Sequence, residues 1–159
     1  MELSAGWVLP VDGPPVEGGL VRYEDGRIVE VGRGRAERHY DDAVIIPGFV
    51  NAHSHLEYAN YAGFGDGLPF GPWIATHTRR KALLDPEGML AIALCGAAES
   101  LRSGITTTAD YSFSGDAALA AAEVGLRATA SMSPGRRRAL RSTCVAIQGA
   151  NGSPSPKPA

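Results

Sequence analysis

Along residues 1–45 apolar and polar positions alternate in short runs broken by turn residues, the pattern of half-buried strands rather than helices. Val21-Arg22-Tyr23-Glu24 and Arg27-Ile28-Val29-Glu30-Val31 flank Asp25-Gly26. That dipeptide readily accepts positive φ, so the segment predicts a hairpin closed by a two-residue turn. Trp7-Val8-Leu9 predicts an earlier strand, with Asp12-Gly13-Pro14-Pro15 and Gly18-Gly19 as its breaks. Val44-Ile45-Ile46, apolar and β-branched, predicts a buried strand that stops at Pro47-Gly48. Beyond it the period lengthens. Pro72 suits the first position of a short helix through Trp73, Ile74 and His77. Asp85-Pro86-Glu87 is a helix start with a capping carboxylate, and Met89, Ile92, Ala93, Leu94, Ala97 and Leu101 follow at helical spacing up to Gly104. Ile105 to Tyr111 is β-prone, Asp116 to Val124 is an Ala-rich helix stopped by Gly125, and Leu126 to Ala130 opens another strand.

From Ser131 the apolar period fails. The predicted organisation is therefore strands over 1–45, β/α units over 46–133, and a disordered basic tail over 134–159. Charge sharpens the last boundary: all 17 acidic residues precede residue 134, whereas five of the 15 Lys and Arg follow it. So short a basic stretch, with no fold-level DNA or RNA motif beside it, does not predict a nucleic-acid partner. With 44% hydrophobic and 20% charged residues the composition is that of a folded protein. Residues 1–4 carry no basic leader and no window reaches the length of a membrane span, so the expected location is cytoplasmic, with no membrane partner. Cys95 and Cys144 form no CxxC pair and are expected as unpaired thiols.

The candidate chemistry lies in Pro47-Gly48-Phe49-Val50-Asn51-Ala52-His53-Ser54-His55-Leu56-Glu57. In extended backbone alternate side chains share a face, which puts His53 and His55 about 6 to 7 Å apart at Cα, a spacing that suits two imidazoles on one metal ion. A polar loop would read the same way without the metal. Glu57 continues the alternation as either a contact to substrate or metal-bound water, or a plain loop carboxylate. His77 falls on a helix rather than at a strand end, which argues against a third-ligand role, and His39, among Glu37, Arg38 and Tyr40, reads as solvated surface. Asp110, at the carboxyl end of a strand, either caps the next loop or carries function. Gly63, Gly65, Gly67 and Pro69 mark a loop between the histidines and the next helix.

The strand, the Pro-Gly break, Asn51, the His-Ser-His pair and the Gly-Ile-Thr-Thr run at 104–107 together resemble the amidohydrolase superfamily over residues 1–130. Leu56-Glu57 and Pro69-Phe70-Gly71-Pro72-Trp73-Ile74 look most like its chlorohydrolase, cytosine-deaminase and aminofutalosine-deaminase branch. The resemblance implies an α/β fold: N-terminal β-sandwich strands followed by a (β/α)8 barrel. It is incomplete here, because 159 residues fall short of the ~250 such a barrel takes. It further implies a hydrolase of non-peptide carbon–nitrogen bonds, expected to deaminate a heterocyclic amine. His53 and His55 would be metal ligands and Glu57 a catalytic group. The cofactor would be a divalent metal, Zn(II) first and Fe(II) or Mn(II) next, and the partner a small-molecule amine or amide. The remaining ligands and acid/base group belong to later strands in the family, so this chain is expected to be truncated and inactive by itself. The alternative is a non-catalytic remnant or small metal-binding module.

Overall fold

The computed structural model describes residues 1–112, 114–132 and 145–147. The chain divides into two compact units that meet between Gly48 and Phe49.

The first unit is one mixed four-stranded sheet, ordered β3-β2-β1-β4, of β1 (Glu2–Val8), β2 (Val16–Glu24), β3 (Arg27–Arg33) and β4 (His39–Ile45). The predicted hairpin is β2–β3, paired antiparallel from Gly19↔Arg33 to Glu24↔Arg27, with Asp25 and Gly26 at φ 48° and 74° in its turn. β4 instead runs parallel to β1, Trp7 opposite Val44 and Val8 opposite Ile45. This corrects the reading of Val44-Ile45-Ile46 as the buried strand that presents the histidines. The run closes the edge of the first sheet, where Val44 and Ile46 stay 52% and 45% exposed. Pro47-Gly48 is thus a break between units and not the end of a barrel strand. His39 is also corrected: its side chain is only 11% exposed. Its Nδ1 lies 2.8 Å from the Ser4 hydroxyl and its Nε2 2.9 Å from Asp41 Oδ1, and Ser4 Oγ also accepts from the Ala36 N–H at 2.9 Å. The imidazole therefore ties β4 to β1, a contact between residues 35 apart that local polarity does not reveal.

The second unit builds a sheet ordered β5-β6-β7-β8 from β5 (Phe49–Ser54), β6 (Ile105–Ser112), β7 (Arg127–Met132) and β8 (Val145–Ile147). β5, β6 and β7 are parallel, connected through α1 (Phe70–Lys81) and α2 (Pro86–Arg102), then α3 (Asp116–Val124). Parallel strands require such crossovers. This is the opening of a parallel β/α array, the α/β class expected from the pattern. β8 breaks the rule: it pairs antiparallel with β7, Ala130 opposite Val145. It is the only stretch between 134 and 159 that is described, and the rest of the expected tail lies outside the described residues.

Local chemistry accounts for the helices. Asp85 caps α2 by accepting the Gly88 N–H at 2.8 Å, with Pro86 at the first position, as its sequence predicts. α1 begins earlier than expected, with Pro69 as its cap and Phe70 as its first residue. α3 ends at Gly125, whose φ of 77° reverses the chain toward β7. The core joins Leu56 to Ala93 and Ala97 of α2, Ala117, Ala120 and Ala121 of α3, and Leu126 and Ala128. Alanine on both helices allows close approach to each other and to the sheet. Gly96 takes this furthest: a Cβ there would sit 2.6 Å from the Leu56 carbonyl oxygen. Among the described residues no helix is long and apolar enough to cross a membrane.

Candidate metal and substrate site

β5 carries His53 near its carboxyl end and His55 follows directly, beside the carboxyl end of β6, where parallel β/α folds gather functional groups. The β5–β6 register shifts between Asn51 and Ser54, and Asn51 Oδ1 accepts the His53 N–H at 3.2 Å. Such an irregularity re-aims side chains that regular pleating would fix. The two imidazoles face one another with ring centroids 5.0 Å apart and planes at 85°. His55 Nδ1 donates to the Tyr111 carbonyl at 2.9 Å. Because a carbonyl only accepts, that bond places the proton on Nδ1 and leaves the Nε2 lone pair available. The pair therefore fits a divalent ion as two neutral nitrogen ligands. Among the described residues no group of three His, Cys, Asp or Glu comes together as a metal set.

The backbone leaves the extended form immediately after His55. Leu56–Tyr61 forms a 3₁₀ helix that buries Leu56 and Glu57. The expectation that Glu57 keeps the face of the histidines is therefore corrected: the helical turn rotates it inward. Glu57 is 1% exposed and ion-paired to Lys81 from the end of α1. It also accepts from Ser112 Oγ at 2.5 Å and Ser114 Oγ at 3.0 Å. Burial pushes its carboxyl pKa up, but the hydrogen bonds from Lys81 and Ser112 and the Lys81 charge outweigh this and hold it below the usual carboxylate range. Glu57 thus ties the 3₁₀ turn, α1 and the β6–α3 connection together.

Asp110 plays a similar part beneath the histidines. It is 1% exposed, and its Oδ2 accepts from Ser54 Oγ and the Leu56 N–H, both at 2.8 Å. Burial raises its pKa, with those two hydrogen bonds acting against the rise. Its contacts anchor the turn after β5 and not the loop after β6 that Asp110 was open to capping.

A cavity of about 550 Å³ opens beside the histidine pair. Its walls are His53, His55, Tyr58, Tyr61, Phe70, Trp73 and His77, with Ala59, Ala62 and Ile74 between them. Glu57 does not line it. His77 is 1% exposed, packed against Trp73 at 4.2 Å between ring centroids, Tyr61 at 5.0 Å, Phe64 at 5.3 Å and Tyr58 at 5.7 Å. It lies on α1 as expected, yet it is buried and shares a cavity with the pair. The Tyr58/Tyr61 and Trp73/His77 spacings of three and four residues are the signal that could have marked one wall from sequence. Lys81 and the Tyr111 carbonyl carry no such local signal.

A parallel β/α sheet with two imidazoles at its carboxyl edge and an aromatic cavity beside them is the opening of an α/β fold of barrel type. The chain belongs to the amidohydrolase family, whose model matches residues 44–156, beyond the 1–130 expected from the motifs. It is 34% identical over 127 residues to a 5'-deoxyadenosine deaminase of Methanosarcina mazei, an alignment covering 76% of this chain and 29% of that protein. It is 33% identical over 132 residues to a 5-methylthioadenosine/S-adenosylhomocysteine deaminase of Syntrophomonas wolfei, covering 76% and 31%. The chain thus spans under a third of the length of these curated relatives. In fold it is similar to atrazine chlorohydrolase TrzN from Arthrobacter aurescens TC1 complexed with zinc, at TM-score 0.68 and 22% identity over 82% of this chain and 35% of that one. Aminofutalosine deaminase of Helicobacter pylori in complex with methylthio-coformycin gives TM-score 0.64 at 21% identity, covering 82% and 34%.

Proposed function

We propose that this chain carries the first part of the active site of a metal-dependent hydrolytic deaminase that acts on a flat, amino-bearing heterocycle of nucleoside type. The observation that carries the reading is the His53–His55 pair, with Nδ1 of His55 held by the Tyr111 carbonyl, opening onto an aromatic cavity. Family membership and the deaminases among its relatives support it.

His53 and His55 would hold a divalent ion, Zn(II) first. When bound, such an ion activates water for attack on the carbon that bears the amino group, which leaves as ammonia. The residues of this chain prepare that event. Tyr111 fixes the His55 tautomer, and Asp110 fixes the turn that carries His55 by holding Leu56 N–H and Ser54 Oγ. Tyr58, Trp73 and Phe70 give the substrate plane apolar faces to lie against and exclude water from it. Glu57, turned inward onto Lys81, acts as a positioning group for the cavity wall and not as the acid or base. A second reading for this chain is a metal-binding module that does not turn over.

Zinc calorimetry at neutral pH tests the assignment. Wild type binds weakly, His53→Ala or His55→Ala removes most of the binding, and His39→Ala leaves it unchanged. Affinity falls on acidification, since a protonated imidazole cannot coordinate. Equal affinity in wild type and the His53→Ala/His55→Ala double variant refutes the metal assignment. Deamination of 5'-deoxyadenosine, assayed in the same samples, separates turnover from binding alone.

A further inference from the structure

We propose that His77 is a specificity-determining residue whose Nδ1 accepts a hydrogen bond from an N–H or O–H group on the ligand in the aromatic cavity. This rests on the reading that the cavity beside His53 and His55 takes the substrate, and it adds what that substrate must present.

The other ring nitrogen sets the tautomer. His77 Nε2 lies 3.1 Å from the Phe64 carbonyl oxygen, which can only accept, so Nε2 carries the proton. In the neutral ring Nδ1 then holds a lone pair. That atom is buried and has no hydrogen-bond partner among the described residues. Its surroundings offer none of the usual compensation: the rings packed on the imidazole are Trp73, Tyr61, Phe64 and Tyr58. An unpaired buried acceptor is a cost the fold carries unless something fills it. Nδ1 is closed to solvent, and because His77 is among the residues that line the cavity, a ligand ring that displaces the packing over it would bring a donor to that lone pair. An aromatic wall holds any flat ring, whereas one buried acceptor discriminates by hydrogen-bond pattern. A site built to pair a polar group rejects the analogue that lacks it far more sharply than an apolar wall rejects a wrong shape.

The test uses the whole 159-residue chain, metal-free in chelator, and two probes of one shape. Benzimidazole has a ring N–H, and 1-methylbenzimidazole has none. Quenching of tryptophan fluorescence gives their affinities for wild type and for His77→Phe, which keeps an aromatic ring and removes the acceptor. The expected result is that wild type prefers benzimidazole by about tenfold and that His77→Phe abolishes the preference. In the wild-type chain labelled with 15N at histidine, the His77 Nδ1 resonance should shift on adding benzimidazole and stay put on adding the methylated probe. That measurement needs no variant to fold. Equal affinity of the two probes for wild type, as an ordered water already on Nδ1 would give, overturns the proposal. So does a preference that survives in His77→Phe, or no binding of either probe at millimolar concentration. Donor preference without zinc binding at His53 and His55 would remove the metal reading and leave this one. Zinc binding without donor preference would do the reverse.

Discussion

Glu57→Gln is the substitution with the largest consequence that the structure allows to be worked out. Glu57 is 1% exposed and its partner Lys81 8% at the side chain, so the amide variant removes a buried carboxylate charge from beside a buried ammonium. Removing one partner of such a pair costs about 3–5 kcal/mol, against about 5–15 kcal/mol of total stability for an ordinary domain. Lys81 Nζ also lies 4.5 Å from the Tyr58 ring centroid, a contact that wild type and variant share and that leaves the difference unchanged. The expected loss is therefore about 3–5 kcal/mol. Lys81→Met should cost less, about 2 kcal/mol, because Glu57 keeps its bonds from Ser112 and Ser114. The double variant Glu57→Gln/Lys81→Met buries no charge and should lose less than the sum by about 1–3 kcal/mol.

Urea unfolding followed by circular dichroism measures all four stabilities. The pH dependence supplies a second check. The Glu57 pKa is depressed in the folded state, so its stabilisation is present above the ordinary carboxylate range and disappears as the pH falls through the depressed value. Wild type should lose this share in acid and the double variant should not. Asp110, raised chiefly by burial, acts with the opposite sign, and because the Glu57 charge adds to that rise its share shrinks in the double variant. A Glu57→Gln loss below about 1 kcal/mol, or a coupling near zero, would refute the argument that this pair is buried and interdependent.

Two further substitutions probe the supports of the site. Asp110→Ala strips the Leu56 N–H and Ser54 Oγ of their acceptor, and should cost about 1–3 kcal/mol in urea unfolding while weakening zinc binding through the loosened His55 turn. Asp110→Asn, which keeps an accepting oxygen, should recover most of both. Gly96→Ala pushes a methyl group to 2.6 Å from the Leu56 carbonyl, so α2 must move off the 3₁₀ turn at a cost of about 1–3 kcal/mol, although Ala is the better helix former. A more stable Gly96→Ala protein would show that this contact is looser than its geometry states.

What was legible in the sequence and what was not divide along contact distance. The hairpin about Asp25-Gly26, the Asp85-Pro86 helix start and the His-x-His pair are each specified by residues within a few positions of one another, and the structure contains each. The misreading of Val44-Ile45-Ile46 has a definite cause: β4 and β5 adjoin across Pro47-Gly48, and nothing local says that the first pairs with β1 and the second with β6. Glu57 was misplaced because alternation assumes an extended chain, whereas its ion pair with a lysine 24 residues later selects the inward-turned helix. His39 and His77 were read by their neighbours in sequence, but Ser4 in one case and Phe64 with Tyr61 in the other decide their roles.

The Glu57–Lys81 pair has a consequence for how this region can change over evolutionary time or in the laboratory. It clamps the chain on either side of the connection between the 3₁₀ helix and α1, and within that connection Gly63, Gly65 and Gly67 all sit at φ between 76° and 81°. Residues 62–69 therefore form a cassette between two helices whose far ends, at Glu57 and Lys81, are tied to each other. Its length and composition can be varied, and the lip of the cavity reshaped toward a different ring system, while His53 and His55 keep their positions. Libraries aimed at new substrates belong in that cassette, with Glu57, Lys81, Ser112 and Ser114 left untouched as its frame.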